Sequence, residues 1–253
     1  KIVYVSHSIE SEIRKKYSNY FIYLITKILE NLVYKISDLA TAVSNDEKRK
    51  IKKIYKKTTQ LYPNAINLDE VKFKKKMSRD YIIYTGSYLY KPNKDAIDYL
   101  NYQIMPNLIK IFPNLKLIIT GGGFYKKFPW LINKGTVQKK ELYNLIYNSK
   151  CMCVPLKFGS GTRIKILEAL ILGAVVVSSS KGIEGIELLK KNPPFISNDK
   201  KSFINNLSKI IKNKKNFKKR AIFDSHIYKK KYSMKNITRM FIAKHLQQYL
   251  NEY

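Results

Sequence analysis

Residues 151–187 read CMCVPLKFGSGTRIKILEALILGAVVVSSSKGIEGIE and decide the predicted fold. Cys151–Leu156 has the short apolar composition of a buried strand, and Ala174–Ser178, small and β-branched, has that of a second strand. Between them lie a glycine-spaced loop and a helical run, Arg163–Leu172, which Gly173 is expected to end because glycine accepts positive φ. The order strand, loop, helix and strand predicts a βαβ unit of a parallel sheet.

The loop between these strands has the composition of an anion-binding site. Gly159 and Gly161 allow the backbone to approach a ligand closely, and Thr162 is placed to cap the helix, whose first N–H groups carry partial positive charge. Arg163 and Lys165 add full charges in the first turn, where cations are unfavourable unless an anion is bound. The loop therefore predicts a phosphate site.

The helix that follows the loop carries one acidic residue, Glu168, one turn beyond Lys165. A carboxylate at this position could accept hydrogen bonds from a ribose diol. The alternative is a solvated Lys165–Glu168 pair, which would contribute only about 0.3 kcal/mol. Spacing alone leaves both interpretations open. The apolar face of the helix is expected to consist of Ile164, Leu167 and Ile171.

This segment resembles the donor site of GT-B glycosyltransferases of the glycosyltransferase-4, or group 1, type. The family pattern is roughly G-x-G-x-x-x-K-x-x-E-A, followed by a helix of small residues, P-V-V and G-x-E-G. The resemblance implies an α/β GT-B fold and transfer of a sugar from a nucleoside diphosphate sugar, with retained configuration and without a metal. The matching positions are Gly159, Gly161, Lys165, Glu168, Ala169, Val175, Val176, Gly182, Glu184 and Gly185.

The resemblance also implies functions for individual residues. Glu168 corresponds to the carboxylate that binds the donor ribose, and the backbone near Val137 would meet the nucleotide base. His7, in the stretch HSIESE, corresponds to a histidine that faces the donor phosphates across the cleft. The implied catalytic residues are His7, Arg163 and Lys165, and the implied donor-binding residues are Gly86, Ser87, Val137, Ser160, Gly161, Thr162, Glu168 and Gly185.

The chain departs from the family pattern at two positions. The usual Glu-x7-Glu pair is incomplete, because Ser160 stands eight residues before Glu168, where the carboxylate for the donor hexose would be. Ser87 stands where many members place an arginine that contacts the diphosphate, so Arg163 and Lys165 are the better candidates for that charge. The sugar, and the choice between a UDP- and a GDP-linked donor, are therefore not specified by the sequence.

One complete domain and part of another are expected. We interpret residues 1–75 as the C-terminal part of an acceptor-side domain and residues 76–230 as a Rossmann-like nucleotide-sugar-binding domain. Residues 231–253 are interpreted as a terminal helix that braces the N-terminal domain. Because the chain begins at Lys1, inside the apparent strand Ile2–Val5, we interpret it as a fragment that lacks most of its N-terminal domain and could be inactive alone.

Apolar periodicity and turn residues predict the remaining elements. Helices are expected at residues 13–37, 46–57, 94–111, 139–148, 184–191, 201–212 and 216–252. Further strands are expected at residues 39–44, 81–85, 115–120 and 135–137.

The charge balance is strongly basic, with 49 Lys and Arg residues against 18 acidic residues and a formal net charge of +31. Such an excess suggests anionic partners, namely nucleic acid, an acidic membrane surface or phosphorylated substrates. The abundance of Lys, Ile, Asn and Tyr together is equally explained by a low-GC coding bias. No helix-turn-helix, RNP-like strand or zinc pattern supports a specific nucleic acid partner.

Two further features of the composition bear on the cellular setting. Cys151 and Cys153 have too few potential ligands around them for zinc, and we interpret them as core residues of a protein in a reducing cytoplasm. The most apolar helix, Tyr20–Tyr34, is interrupted by polar residues and is too short to span a bilayer. The basic helix Asp46–Lys57 offers a peripheral contact with the inner face of a membrane, although a solvated face is the commoner case.

The predicted function is thus transfer of a sugar to a hydroxyl of a glycan or lipid-linked acceptor, in surface glycan or polysaccharide biosynthesis. No cofactor and no metal are predicted beyond the nucleotide-sugar donor. Two alternatives stay open: a sugar-nucleotide epimerase of the same fold, and a non-catalytic basic protein that binds nucleic acid.

Overall fold

The computed structural model describes residues 1–67, 80–124, 126–159, 163–189 and 194–246, without the side chain of Leu246. Its N-terminal part is a three-stranded parallel sheet with helices against it. The strands β1 (Val3–Tyr4), β2 (Leu39–Ala42) and β3 (Gln60–Leu61) lie in the order β1-β2-β3, and the helices are α1 (Glu10–Tyr17), α2 (Tyr20–Ile36) and α3 (Asn45–Tyr55).

The prediction of a single helix at residues 13–37 is wrong, because the chain forms two helices there. Ser18 is extended, with φ −122° and ψ 170°, and ends α1. The Asn19 side chain accepts a hydrogen bond from the Ile22 amide at 2.9 Å and so caps α2. The break lets α1 and α2 pack against each other.

A carboxylate from α2 supplies the missing cap of α1. The side chain of Ile9, the N-cap residue of α1, makes no capping bond. Instead, the buried Glu30 carboxylate accepts hydrogen bonds from the Glu10 amide at 2.7 Å, the Ser11 amide at 3.0 Å and the Tyr55 hydroxyl at 2.5 Å. Since α1, α2 and α3 all contribute to this network, Glu30 fixes their arrangement.

The apolar face of α2 is largely exposed. Glu30 and Tyr34 are its buried residues, whereas Tyr20 and Phe21 are 74% and 69% exposed and Ile28 is 59% exposed. An apolar helix face of this length usually packs against another element.

The second part of the chain is built on a six-stranded parallel sheet with the order β6-β5-β4-β7-β8-β9. The strand order reverses between β4 and β7, which is the kind of position where open parallel sheets bind ligands. The strands are β4 (Tyr81–Thr85), β5 (Lys116–Thr120), β6 (Leu131–Asn133), β7 (Met152–Val154), β8 (Val176–Ser178) and β9 (Phe195–Ile196).

The helices of this part cover the six-stranded sheet. They are α4 (Lys91–Tyr99), α5 (Met105–Ile111), α6 (Lys139–Asn148), α7 (Ile164–Ile171), α8 (Ser180–Ile183), α9 (Lys200–Lys212), α10 (Lys214–Tyr232) and α11 (Met234–Phe241). Residues 100–104 join α4 to α5 as a π-helical segment, and residues 242–246 continue α11 in the same form.

The central βαβ unit is confirmed. Strands β7 and β8 pair in parallel, with Cys153 opposite Val177, and α7 runs between them. Gly173 ends α7 with φ +66°, as predicted. Ile164 is 48% exposed rather than buried, because it is the first helical residue and lies at the open edge of the sheet.

Two further predictions were wrong, and one strand was missed. The strand expected at residues 135–137 lies at Leu131–Asn133, and Gly135 instead forms a turn with φ +59°. The helix expected at residues 184–191 forms earlier, at Ser180–Ile183, because the Ser179 side chain accepts from the Gly182 amide and caps it there. Strand β9 was not anticipated.

The two cysteines are core residues, as predicted. Cys151 and Cys153 are both buried and free, with their sulfurs 3.8 Å apart. Burial raises the pKa of the Cys153 thiol, so both residues behave as core side chains.

The N-terminal part meets the last helices through a short parallel bridge. The Ile66 amide donates to the Tyr232 carbonyl at 2.9 Å, and the Met234 amide donates to the Ile66 carbonyl at 3.0 Å. Beside it, the rings of Tyr62 and Phe241 lie 4.8 Å apart. The domain boundary predicted near residue 75 lies outside the described residues.

Candidate functional site

The candidate site lies at the carboxyl edge of the six-stranded sheet, where the loops after β4 and β7 diverge. The loop after β4 begins at Gly86, with φ +144°. A Cβ on Gly86 would lie 2.6 Å from Asn93 Nδ2 and 2.7 Å from Lys165 Nζ, so a larger residue would displace both groups. Sequence and packing therefore agree that this position requires glycine.

The ammonium group of Lys165 is held inside this edge rather than in solvent. It donates to the Thr85 carbonyl at 2.5 Å, to Asn93 Oδ1 at 2.9 Å and to the Tyr84 hydroxyl at 3.2 Å. It also lies 4.4 Å from the centre of the Tyr84 ring. Burial, assisted by the charge of Arg163, lowers the pKa of Lys165 to about 7.

Arg163 stands beside Lys165 and adds a second cation to the site. Its guanidinium lies over Gly159, since a Cβ on Gly159 would be 3.1 Å from Arg163 Cζ. Burial lowers the pKa of Arg163. Arg163 occupies the N-cap position of α7, which was predicted for Thr162, and makes no capping bond there. Ser160, Gly161 and Thr162 themselves lie outside the described residues.

Glu168 does not form the solvated ion pair with Lys165 that was the alternative interpretation. The two residues lie one turn apart on α7, but their side chains have different partners. Lys165 donates to the Thr85 carbonyl, and Glu168 accepts a hydrogen bond from the Tyr143 hydroxyl at 3.2 Å. Burial raises the pKa of Glu168, and the Tyr143 hydrogen bond opposes that shift. Tyr143 thus fixes the direction of the carboxylate.

Ser87 and Val137 lie on the loops after β4 and β6, with the loop after β5 between them. The Ser87 hydroxyl donates to the Gly122 carbonyl at 3.4 Å and accepts from the Leu89 amide at 3.3 Å, so it braces its own turn. Val137 is half-buried at the entry to α6. The Gly121 amide donates to the Gly135 carbonyl at 2.7 Å and joins the loops after β5 and β6.

His7 and Gly185 belong to the two facing parts of the chain. His7 is exposed in the loop after β1. Gly185 follows α8 with φ +82°. Ile9, at the end of the His7 loop, and Gly185 line one small cavity, so the two loops face each other across a narrow gap.

An aromatic contact also bridges these two parts. The ring of Tyr17, at the end of α1, lies 6.2 Å from that of Phe158 in the loop after β7. Burial raises the pKa of Tyr17, and the nearby charge of Arg163 opposes the shift. The N-terminal part thus reaches the loop that carries Gly159.

Sequence reasoning missed Tyr84, Asn93 and Tyr143. Tyr84 lies in a buried apolar strand, and its hydroxyl donates to Asn93 Oδ1 at 2.7 Å. A tyrosine inside an apolar, fully buried strand is a signal that its hydroxyl finds a partner. Asn93 stands just before the helix predicted at residues 94–111, and Tyr143 lies within the helix predicted at residues 139–148, so neither position indicated a site.

Two parallel sheets with facing carboxyl edges, and a buried cation pair at the strand-order reversal of one of them, define a GT-B glycosyltransferase. The family described as "Glycosyl transferases group 1" matches residues 79–213, which is more than half of the chain. The chain therefore belongs to this family of glycosyltransferases.

Solved structures show the same fold. Sucrose-phosphate synthase from Thermosynechococcus elongatus superimposes with a TM-score of 0.75 at 13% identity, over 98% of this chain and 68% of that one. TarM from S. aureus superimposes with a TM-score of 0.74 at 13% identity, over 95% of this chain and 49% of TarM. HepE from Anabaena, in complex with UDP and glucose, gives 0.74 at 14% identity, over 97% of this chain and 71% of HepE.

Comparison with curated protein sequences gave no match. Within the described part of the chain, no helix has both the length and the apolar character needed to cross a membrane.

Proposed function

We propose that this chain carries the donor site of a retaining, metal-independent glycosyltransferase that moves a sugar from a nucleoside diphosphate to a hydroxyl acceptor. The observation that carries the proposal is the buried Lys165 ammonium beside Arg163, at the edge where parallel sheets bind ligands. Two cations are unfavourable together in a desolvated place, and a diphosphate would neutralise them.

In the proposed reaction, the acceptor oxygen bonds to the anomeric carbon as the bond from that carbon to the diphosphate oxygen breaks. The nucleoside diphosphate leaves with the bonding electron pair, and the hydroxyl proton passes to it. Lys165 and Arg163 stabilise the charge that develops on the leaving diphosphate, with the amides of Ser160, Gly161 and Thr162 as further donors. Attack from the face that the diphosphate leaves retains the anomeric configuration.

Donor binding is assigned to the surrounding loops. Glu168, oriented by Tyr143, would accept hydrogen bonds from the ribose diol, and the backbone at Val137 would contact the base. Gly86 and Ser87 would border the diphosphate, and the Gly185 loop would border the sugar. His7 would approach the reacting carbon from the N-terminal part.

The neighbours support a uridine donor. HepE was solved with UDP-glucose, and the pneumococcal O-GlcNAc transferase GtfA, with a TM-score of 0.65 and 14% identity, was solved with UDP and GlcNAc. A glycan or lipid-linked acceptor and a place in cytoplasmic surface glycan assembly, with a peripheral membrane contact, complete the proposal.

Calorimetric titration with UDP, GDP and ADP, and with their sugar conjugates, tests the assignment. We expect one nucleotide to bind selectively and Glu168→Ala to weaken it by about a hundredfold, since a charged hydrogen-bond acceptor is lost. Glu141→Ala is the matched control, because Glu141 is an exposed carboxylate on α6 that forms an ion pair with Lys134 at 3.3 Å. Equal affinity in the Glu168 variant and the control would reject the ribose assignment.

Activity requires a separate assay. Incubating the donor without acceptor distinguishes transfer from epimerisation, because an epimerase would convert the donor alone. Adding a divalent-metal chelator to an active preparation tests metal independence, and the anomeric configuration of the product tests retention.

A further inference from the structure

A groove of about 890 Å³ lies where the N-terminal part meets the last helices. One wall is formed by the carboxyl ends of β2 and β3, at residues 43–48 and 60–63, and the other by the end of α10 and by α11. Its inner end is closed by residues 185–187. Because Ser44, Asp46 and Gly185 line both this groove and the small cavity between the two parts of the chain, the two spaces adjoin.

The walls of this groove are basic. Of its carboxylates, Glu187 pairs with Lys231 at 2.6 Å and Asp46 pairs with Arg49. Among the described residues, no carboxylate forms an ion pair with the remaining cations of the groove. The basic groups are Lys48, Lys230, Lys231, Arg239, Lys244 and His245.

The cations of the two walls act on the same space. His245 has its pKa lowered by burial, by Lys244 on its own helix and by Lys48 on the facing wall. Positive charge from both walls therefore converges within the groove. The chain as a whole is basic, so charge alone does not single out this place; its concave shape does, because a low-dielectric cleft focuses the field of its walls.

The floor of the groove is apolar. Ile186, Ile237 and Phe241 line it and are all more than 90% buried. The Phe241 ring lies 5.2 Å from that of His245. Apolar and aromatic surface between cationic walls suits a chain that has sugar rings and anionic substituents.

From the groove's shape, its unpaired lysines and arginine, and its junction with the cavity at Gly185, we infer that it binds an anionic glycan chain, namely the acceptor with its phosphate or carboxylate groups. This inference rests on the proposed function, since an acceptor must reach the donor sugar, which the Gly185 loop would border. A flat lipid surface would contact protruding residues rather than a recessed floor, which favours an extended chain as the occupant.

Fluorescence anisotropy at about 150 mM NaCl, where diffuse surface attraction is largely screened, tests the inference. The probes are labelled hexamers of galacturonic acid and of glycerol phosphate, with maltohexaose as the neutral comparison. We expect at least one anionic hexamer to bind at least tenfold more tightly than maltohexaose. Equal binding of all three would overturn the inference.

The decisive comparison uses two double variants with the same net charge. Lys230→Glu with Lys244→Glu alters two exposed groove lysines, and Lys201→Glu with Lys215→Glu alters two exposed lysines of α9 and α10. We expect the groove variant to bind the anionic hexamer about tenfold more weakly and the control to change less than threefold. Equal losses would show diffuse attraction to a basic surface and would refute a site.

Two other occupants are outcomes of the same experiment. A single-stranded DNA of equal charge that binds more tightly than the hexamers, and only with the groove intact, would replace the inference with a nucleic acid site. Phosphatidylglycerol vesicles that require the groove lysines, when the hexamers do not, would replace it with a lipid site. UDP titration of the wild type and of both double variants separates the test of the groove from the test of the donor site. If none of the three proteins bound UDP, the donor site would be rejected and the inference about the groove would still be decided by the hexamers.

Discussion

Replacing Lys165 by Met should stabilise the protein at low pH while abolishing its proposed donor binding. The pKa of Lys165 is about 7 instead of its ordinary 10.5, because the ammonium is buried. At 1.36 kcal/mol for each pH unit, this difference means that keeping the charge in the folded state costs roughly 5 kcal/mol below pH 7. Methionine has a similar length and carries no charge.

The hydrogen bonds of Lys165 oppose this gain. Three are lost in the variant, to Thr85, Asn93 and Tyr84, and at about 1 kcal/mol each they offset about 3 kcal/mol. The variant should therefore be more stable by about 2 kcal/mol at pH 6. Since the lowered pKa makes the folded wild type more stable as pH rises from 7 to 10.5, the two proteins should have equal stability near pH 8 to 9.

Urea unfolding at a series of pH values measures both effects. Lys201→Met, at an exposed position of α9, is the matched control and should change the unfolding free energy by less than about 0.5 kcal/mol. A Lys165 variant that is less stable than wild type at pH 6, or a difference that does not vary with pH, would refute the account of a buried charged lysine. Retained UDP affinity would refute its contact with the diphosphate.

Three other substitutions test features around this site and in the N-terminal part. Gly86→Ala should lower the unfolding free energy by about 2 to 4 kcal/mol, because its Cβ would overlap Asn93 and Lys165 and because the backbone there has positive φ. Gly135→Ala is the control: φ is also positive there but the space is open, so the same urea assay should show a loss of only about 1 kcal/mol. Glu30→Gln should lower the thermal midpoint by several degrees, since an amide caps α1 less well than a carboxylate, and an unchanged midpoint would deny its part in the network. Burial raises the pKa of Glu47 from 4.5 to about 7, so wild type should lose stability as pH rises between these values, whereas Glu47→Gln should not; parallel pH profiles would contradict this.

Local sequence pattern was sufficient to predict several elements of the second part of the chain. The strand at Tyr81–Thr85 and the helix at Lys139–Asn148 lie where apolar periodicity predicts them, because each is a continuous signal between clear turn residues. The break at Asn19 was overlooked although asparagine is a common N-cap, since the apolar period on both sides reads as one helix. The strand at Leu131–Asn133 is three residues long and too short for alternation to show.

The candidate site was predictable in its residue types but not in its contacts. Lys165 and Glu168 were identified from spacing and resemblance, and both lie at the expected sheet edge. Their partners could not be identified, because Tyr84 and Asn93 are 81 and 72 positions away from Lys165 and reach it only through the pairing of β4 with β7. Local periodicity contains no information about such distances.

The exposed apolar face of α2 should make the self-association of the purified chain depend on salt. With a net charge of +31, molecules repel one another at low ionic strength, so the chain should stay dispersed there. Added salt screens that repulsion within a few ångströms, and the outward side chains of Tyr20, Phe21 and Ile28 can then meet between molecules. High salt is the usual means of removing anionic contaminants from a basic protein. For this chain it should instead promote self-association, which light scattering across a salt series would measure.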